Sequence, residues 1–288
     1  MIWLNGRLHQ GTTVPFDVTD RGLLLADGLF ETIAVFGGRP FRLADHLDRL
    51  LRGAGVIGLP VEPARLNEAV AALAPHAAEG LGVLRLTVTR GAGPRGLAAP
   101  AQALPTVLAT LASWSPSLVM RPVRLATSRI RRNAASPSSR LKTLAYLDNV
   151  LGLEEARRAG ADDALFLDTA GLVACASAAN IFALFGGRLV TPRVDGAVLP
   201  GITRAVVLAT AADLGLDAEE CPLTPAELAE ADAVFLTNSA RLVCPVTAID
   251  GRQMPAGDAV ARKVLARLEA LVRDECGVAL PIPDLPCA

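Results

Sequence analysis

Apolar and polar positions change period several times along the 288-residue chain. The opening MIWLNGRLHQ alternates around Asn5-Gly6, a pair favoured in tight hairpin turns, and predicts two short strands. ADGLFETIAVFGGRPF predicts a strand, a turn at Gly37-Gly38 and a second strand. In RLADHLDRLLRGAGVIGL, Leu43, Leu47, Leu50 and Leu51 fall on one helical face. A second helix is predicted over about 63–79. GVLRLTVTRG alternates as a half-buried strand, and TVLATLASW is another. The stretch 115–139 is rich in Pro, Ser and Arg, with the strand-like RPVRLATS followed by a linker. Helical periodicity resumes after Lys142 and runs to about Ala159. DDALFLDTAGLVACASAANIFALFGGRLVTP breaks into short strands at glycine turns. PGITRAVVLATAADLG is a glycine turn feeding a helix, AELAEADAVFLTNSARLVCPVTAIDGRQM a short helix followed by strands, and DAVARKVLARLEALVRDE a terminal amphipathic helix. Strands and helices do not alternate strictly. That predicts an α+β fold in two domains, with residues 1–120 in the first, a linker over 121–135, and residues 136–288 in the second.

Composition narrows the class. Apolar residues make up 51% of the chain and the net charge is −1, which excludes a disordered polymer. MIWLNGRLHQ has no basic segment followed by an apolar run, and no apolar run reaches the roughly 20 residues of a membrane span. The five cysteines (Cys175, Cys221, Cys244, Cys276, Cys287) contain no CxxC pair, which argues against a disulfide framework or a structural zinc site. A cytoplasmic protein without membrane or metal partners is expected. The near-zero charge hides an asymmetry: Gly80 to Leu147 carries nine arginines and Lys142 but no Asp or Glu. Such a block suits a nucleic-acid surface, a funnel for a small anion, or pairing with acids elsewhere in the fold. Aromatic residues that could stack bases are only 4% of the chain, so no nucleic-acid partner is expected.

Two lysines stand against 26 arginines. Lys263 lies among the charges of the terminal helix and reads as a surface residue. Lys142 lies beside Leu141 and Leu144, at the start of a predicted helix. Burial there would lower its pKa and free the amine as a nucleophile, and lysine forms a Schiff base where arginine cannot. A structural ion pair is the alternative reading of the same residue. LPGITRA sets Gly201 before Ile202 and Thr203 at a predicted helix N-terminus, which is either a phosphate site or a plain cap. FLTNSAR ends a strand in small hydroxyl and amide residues, and HLDRL puts His46 and Arg49 on one helix face, with Arg49 a possible phosphate clamp. An unusual lysine combined with phosphate donors describes a carbonyl cofactor bearing a phosphate, namely pyridoxal 5'-phosphate.

The segments NGRL, DRGLLLADGLFET, HLDRL, TRGAGPRGL, LKTLAYLDNVL, NIF, LPGITR and FLTNSARLVCPV occur in an order that resembles the class IV aminotransferases, the fold type IV pyridoxal-phosphate enzymes. The resemblance runs nearly end to end. It implies a two-domain α+β homodimer, with the cofactor between a smaller N-terminal and a larger C-terminal domain. It makes Lys142 the lysine that bonds the cofactor and shuttles protons. It sets Arg49, Ile202, Thr203 and Ser239 at phosphate-binding positions, and Tyr146 at a residue that can hydrogen-bond the cofactor's phenolic oxygen. Arg95 matches an arginine that binds substrate carboxylate in D-amino acid aminotransferases, but the accompanying histidine is replaced by Leu97.

One departure bears on the chemistry. The family usually carries a glutamate five residues before the Asn of its N-[IL]-F motif, where it keeps a proton on the pyridine nitrogen. Here the segment is VACASAANIF, and Cys175 occupies that position. No acidic residue occurs from Thr169 to Val194. A protonated pyridine is the electron sink for a carbanion, and a neutral thiol is a weak donor. FLTNSARLVCPV and ASAANIF resemble the aminodeoxychorismate lyases more than the branched-chain aminotransferases. The implied reaction is release of pyruvate from 4-amino-4-deoxychorismate to form 4-aminobenzoate, a small anionic amino substrate suiting the cationic block. The alternatives are an aminotransferase for D- or branched-chain amino acids, and a cofactor-binding homologue with weak or no turnover.

Overall fold

In the computed structural model, residues 1–195 and 197–282 are described. The chain divides into two compact units. Unit 1 comprises Met1–Ser115, Leu141–Ala145 and Val272–Val278, and unit 2 comprises Pro116–Arg140, Tyr146–Leu271 and the chain from Ala279.

Unit 1 is built on a six-stranded sheet of β1 (Ile2–Leu4), β2 (Arg7–His9), β3 (Gly28–Phe36), β4 (Arg39–Pro40), β5 (Gly82–Thr89) and β6 (Thr106–Ser113), in the order β2-β1-β6-β5-β3-β4. Every pairing in it is antiparallel, with Glu31 opposite Leu86 and Thr32 opposite Arg85. Its helices are α1 (Arg21–Leu25), α2 (Leu43–Ile57) and α3 (Pro63–Leu73). Leu47, Leu50 and Ala54 of α2 and Leu66, Val70 and Leu73 of α3 bury their apolar stripes against Leu29, Ile33, Leu84 and Leu86. The helix predicted to 79 stops at Leu73, because Pro75 cannot continue the backbone ladder; two 3₁₀ turns follow. Asp20, whose carboxylate accepts from Gly22 N, caps α1, which the sequence pattern does not disclose.

Unit 2 carries a nine-stranded sheet of β7 (Val123–Arg132), β8 (Asp163–Asp168), β9 (Val173–Ala176), β10 (Asn180–Phe185), β11 (Arg188–Thr191), β12 (Asp217–Glu220), β13 (Ala233–Asn238), β14 (Leu242–Ile249) and β15 (Arg252–Gln253). The path is β12-β11-β10-β13-β14-β7-β8-β9, and β15 pairs with β14. Two of its pairings beside β7 are parallel, to β14 and to β8. Helices α4 (Leu147–Arg158), α5 (Ile202–Thr210) and α6 (Pro225–Ala229) belong to this unit. The terminal helix α7 (Asp258–Cys276) begins in unit 2 and ends in unit 1.

The structure differs from the sequence expectation over the predicted linker, 121–135. Most of it is β7, an interior strand of the second sheet. The chain instead leaves unit 1 at Ser115 and returns for five residues, Leu141–Ala145. These five are not the start of a helix, since α4 begins at Leu147. They lie along β3: Phe30 N donates to Lys142 O at 2.9 Å, Leu144 N donates to Gly28 O at 3.1 Å, and Leu29 bridges Thr143. Gly28 makes this approach possible, because a Cβ there would meet Val88 O and the Leu144 side chain. Lys142 therefore belongs to unit 1, although the sequence pattern assigns it to the second domain.

Candidate active site

Alternation along β3 puts Leu29, Glu31 and Ile33 on one face and Phe30 and Thr32 on the other. Leu29 and Ile33 are core residues, so Glu31 is a carboxylate on a core face, with no exposed surface. Such a charge persists only if it is paired and hydrogen-bonded. Helix α2, packed on that face, supplies the partners at i and i+3. His46 Nδ1 donates to Glu31 Oε2 at 2.7 Å. Arg49 makes a two-point fork, Nε to Oε1 at 2.8 Å and Nη2 to Oε2 at 2.6 Å. Burial alone would raise the pKa of Glu31; the bonds from His46 and Arg49 outweigh it and hold the carboxyl at about 2. Burial pushes His46 down, against its bond to Glu31, so the ring is neutral at pH 7 with the proton on Nδ1.

Lys142 lies in the field of this group. Its pKa falls from 10.5 to about 8, first through burial, then through the charge of Arg49, with Arg85 adding and Glu31 opposing. At pH 7.5 about a quarter of such amines are neutral, against about one in a thousand for an ordinary lysine. The Lys142 amine stands 4.3 Å from the centre of the Phe30 ring, and the Arg85 guanidinium lies 3.7 Å from the same ring. Unit 1 thus brings a nucleophilic amine next to two guanidiniums. Glu31 and Arg85 are absent from the sequence-based set. An acid inside the apolar run GLFETIAVF is the signal for Glu31, and the only cation within the alternating GVLRLTVT is the signal for Arg85.

Arg95 lies on the exposed loop after β5, and Leu97 beside it is 85% exposed. The loop is held from below by Arg21, a buried residue whose guanidinium donates to the carbonyls of Gly96 (3.0 Å), Leu97 (3.0 Å) and Ala98 (3.2 Å). Asp27 pairs with Arg21 at 2.9 Å and with Arg90 at 2.8 Å.

The remaining candidates are in unit 2. Tyr146 is the residue before α4. Gly201 precedes α5, whose first residues Ile202 and Thr203 are buried and whose first N–H groups have no acceptor within the helix. A Cβ on Gly201 would meet Asn180 Oδ1, so the chain approaches β10 closely there. Ser239 follows β13 in a turn where Asn238 Oδ1 accepts from Ala240 N (3.0 Å) and Arg241 N (2.7 Å). Thr237, just before this turn, buries a hydroxyl that has no hydrogen-bond partner among the described residues. A helix N-terminus, a strand-end turn and an orphaned buried hydroxyl fit a phosphate-bearing group.

Cys175 sits in β9 opposite Phe166, packed among Ala156, Ala164, Ala174 and Ala197. Burial pushes its thiol up, with Arg132 opposing, so the group is a neutral thiol at physiological pH. Asp163, the acid whose charge acts on it, is already engaged: it accepts from Ala164 N (2.8 Å), Ser177 N (3.2 Å), the Ser177 hydroxyl and Arg241 Nη1 (3.2 Å). Taken separately, unit 1 offers an amine suited to a carbonyl, and unit 2 offers donors suited to a phosphate. At Cys175, unit 2 supplies no charged partner for the ring nitrogen of pyridoxal phosphate. Among the described residues, no group of acids, histidines and cysteines could hold a metal ion.

The model of the family described as amino-transferase class IV matches residues 28–249. The chain is 36% identical over 258 residues to a putative branched-chain-amino-acid aminotransferase of Methanocaldococcus jannaschii, covering 87% of this chain and 88% of the relative. Among solved structures, 4-amino-4-deoxychorismate lyase from Pseudomonas aeruginosa superposes with a TM-score of 0.84 at 34% identity, covering 96% of this chain and 99% of that one. The T.th. branched-chain amino acid aminotransferase complexed with N-(5'-phosphopyridoxyl)-L-glutamate superposes with a TM-score of 0.84 at 29% identity, covering 94% and 93%. The two-unit α+β architecture, the match across most of the chain and the relatives at this level of identity make it a member of the class IV aminotransferase family, a pyridoxal-phosphate-dependent enzyme.

Proposed function

We propose that the protein is a lyase that releases pyruvate from 4-amino-4-deoxychorismate and forms 4-aminobenzoate. The observation that carries this reading is the buried, neutral thiol of Cys175, at the position where the family pattern leads one to expect a glutamate. Bound pyridoxal phosphate supplies an electron sink for charge developing at the amino-bearing carbon, and a protonated ring nitrogen deepens that sink. A thiol does not hold such a proton. Elimination that ends in an aromatic ring has a thermodynamic pull that amino-group exchange lacks, and so tolerates a shallower sink.

Each residue then has a task. Lys142 holds the cofactor and, with its depressed pKa, takes a proton from the amino-bearing carbon and delivers it to the departing group. Glu31 fixes the orientation of Arg49, which with Ile202, Thr203 and Ser239 holds the phosphate. Tyr146 hydrogen-bonds the phenolic oxygen. Arg85 and Arg95 meet the carboxylates of the substrate. Unit 1 exposes Leu23, Leu24 and Leu25 of α1, and unit 2 exposes Leu147, Val150 and Leu151 of α4. These apolar surfaces support a homodimer. The free Cys175, Cys221, Cys244 and Cys276, with no membrane-length apolar helix among the described residues, fit a cytoplasmic location. Cys287 lies outside the described residues.

A second reading, aminotransferase, is favoured by the 36% identity to a putative branched-chain enzyme. Product analysis separates the two. Equimolar pyruvate and 4-aminobenzoate support the lyase. A 2-oxo acid matched by glutamate or alanine, without 4-aminobenzoate, supports the aminotransferase. Neither product from cofactor-loaded protein means a binding homologue without turnover.

A further inference from the structure

The arginines of the acid-free segment have separate fates. Arg90 is engaged by Asp27 and by the carbonyls of Ile57 and Gly58. Arg124 is engaged by Asp162, and Arg132 by the carbonyls of Ser139 and Ala197. Arg121 is different. Its side chain lines a cavity of about 230 Å³ within unit 2, together with Arg157 of α4, Arg241, Asp162 and Cys244.

Three guanidiniums share this cavity with one carboxylate, and that carboxylate is already neutralised. Asp162 accepts from Arg124 Nε at 2.8 Å and Nη2 at 3.0 Å; these bonds, the Arg124 backbone N–H and, last, the nearby charge of Arg121 hold it at a pKa of about 2 against its partial burial. Arg241 gives one N–H to buried Asp163 at 3.2 Å. Arg121 and Arg157 form no ion pair among the described residues. Cys244 cannot balance the charge, because burial raises its thiol to about 11. The cavity is thus a concave site with surplus positive charge. Guanidiniums recognise oxyanions through paired N–H groups, so the surplus has a definite chemical complement. The volume is below the about 300–1,000 Å³ of sites for drug-sized ligands, and suits an ion of a few heavy atoms.

We propose that this cavity is a binding site for a small dianion, inorganic phosphate or a short dicarboxylate, formed by Arg121, Arg157 and Arg241 and using none of the residues assigned to the cofactor. The site is independent of the lyase and aminotransferase readings.

The test uses protein loaded with pyridoxal phosphate, so that the cofactor's own phosphate position is filled. Calorimetric titration with inorganic phosphate and, separately, with succinate is run at constant ionic strength in sodium chloride. Saturable binding of at least one anion is expected, weakening as salt is raised. Phosphate alone, or succinate alone, identifies which dianion the site takes. The double variant R121A/R157A changes two exposed side chains outside the proposed machinery, and its binding should weaken at least tenfold, as the loss of charge-assisted contacts requires. If that variant does not fold, R121Q and R157Q singly should each weaken binding several-fold. Absence of saturable binding in the wild type, or unchanged affinity in the folded variants, overturns the proposal.

Discussion

Replacing Glu31 by Gln removes a charge from a face with no exposed surface, where His46 and Arg49 are arranged around it. The depression of the carboxyl from 4.5 to about 2 corresponds to about 3 kcal/mol of stability at neutral pH. An independent estimate agrees: removing one partner of a buried ion pair costs about 3–5 kcal/mol. The sign follows from the depressed pKa. Stability from Glu31 is fully present above the unfolded value near 4.5 and is lost as pH falls towards about 2. Trp3 and Trp114 are the only tryptophans, both are buried, and both belong to unit 1, so their fluorescence follows the unit that contains Glu31. Urea titration of E31Q at pH 7 should show a loss of about 3 kcal/mol, shrinking as both proteins are taken from pH 5 to pH 3. Removing the negative charge should also lower the Lys142 pKa below about 8, shifting the pH midpoint of its modification by an amine reagent in the apo-protein downwards. A loss under about 1 kcal/mol at pH 7, with an unmoved Lys142 midpoint, would refute the view that Glu31 is the charge around which unit 1 organises the lysine.

Three further outcomes are expected. G28A places a methyl group against Val88 O and Leu144, pushing the returning segment off β3; its fluorescence-detected stability should fall by about 2 kcal/mol or more, with the Lys142 pKa rising towards that of a free lysine. R21A releases the carbonyls of Gly96, Leu97 and Ala98, so limited proteolysis should cut the 91–98 loop faster, while Asp27 keeps Arg90 as its partner. C175E puts a carboxylate among alanines in the field of Arg132; cofactor-loaded C175E should transfer the amino group of alanine or glutamate at least tenfold faster than the wild type, and an unchanged rate would show that the thiol is not what limits transfer.

Local signals in the chain carry much of this structure, and non-local pairing carries the rest. The hairpin at Asn5-Gly6, the α2 stripe of Leu43, Leu47 and Leu50, and the terminal helix are legible because each depends on turn chemistry or on one element's period. Lys142 stands out because lysine is nearly absent from the chain, and Cys175 because it interrupts a family pattern. The return of Leu141–Ala145 to unit 1 is not legible, since its hydrogen bonds go to Gly28 and Phe30, more than a hundred residues earlier. For the same reason β7 is only half legible: RPVRLATS has a strand-like pattern, but the Arg-rich continuation to Arg132 lies among Pro, Ser and Arg neighbours that describe a loop, and pairing to β8 and β14 is what makes the whole an interior strand. The helix face alone marks Arg49 as a phosphate clamp. That Glu31 takes two of its nitrogens becomes visible only with the packing of α2 on β3.

Reduction of the purified protein, loaded with pyridoxal phosphate, with borohydride, followed by peptide mass mapping, tests the assignment of Lys142 most directly. The phosphopyridoxyl mass should be fixed on Lys142, and K142A should lose the visible absorbance while keeping the wild-type tryptophan emission. A label on Lys263, or an unchanged visible spectrum in K142A, would contradict the assignment.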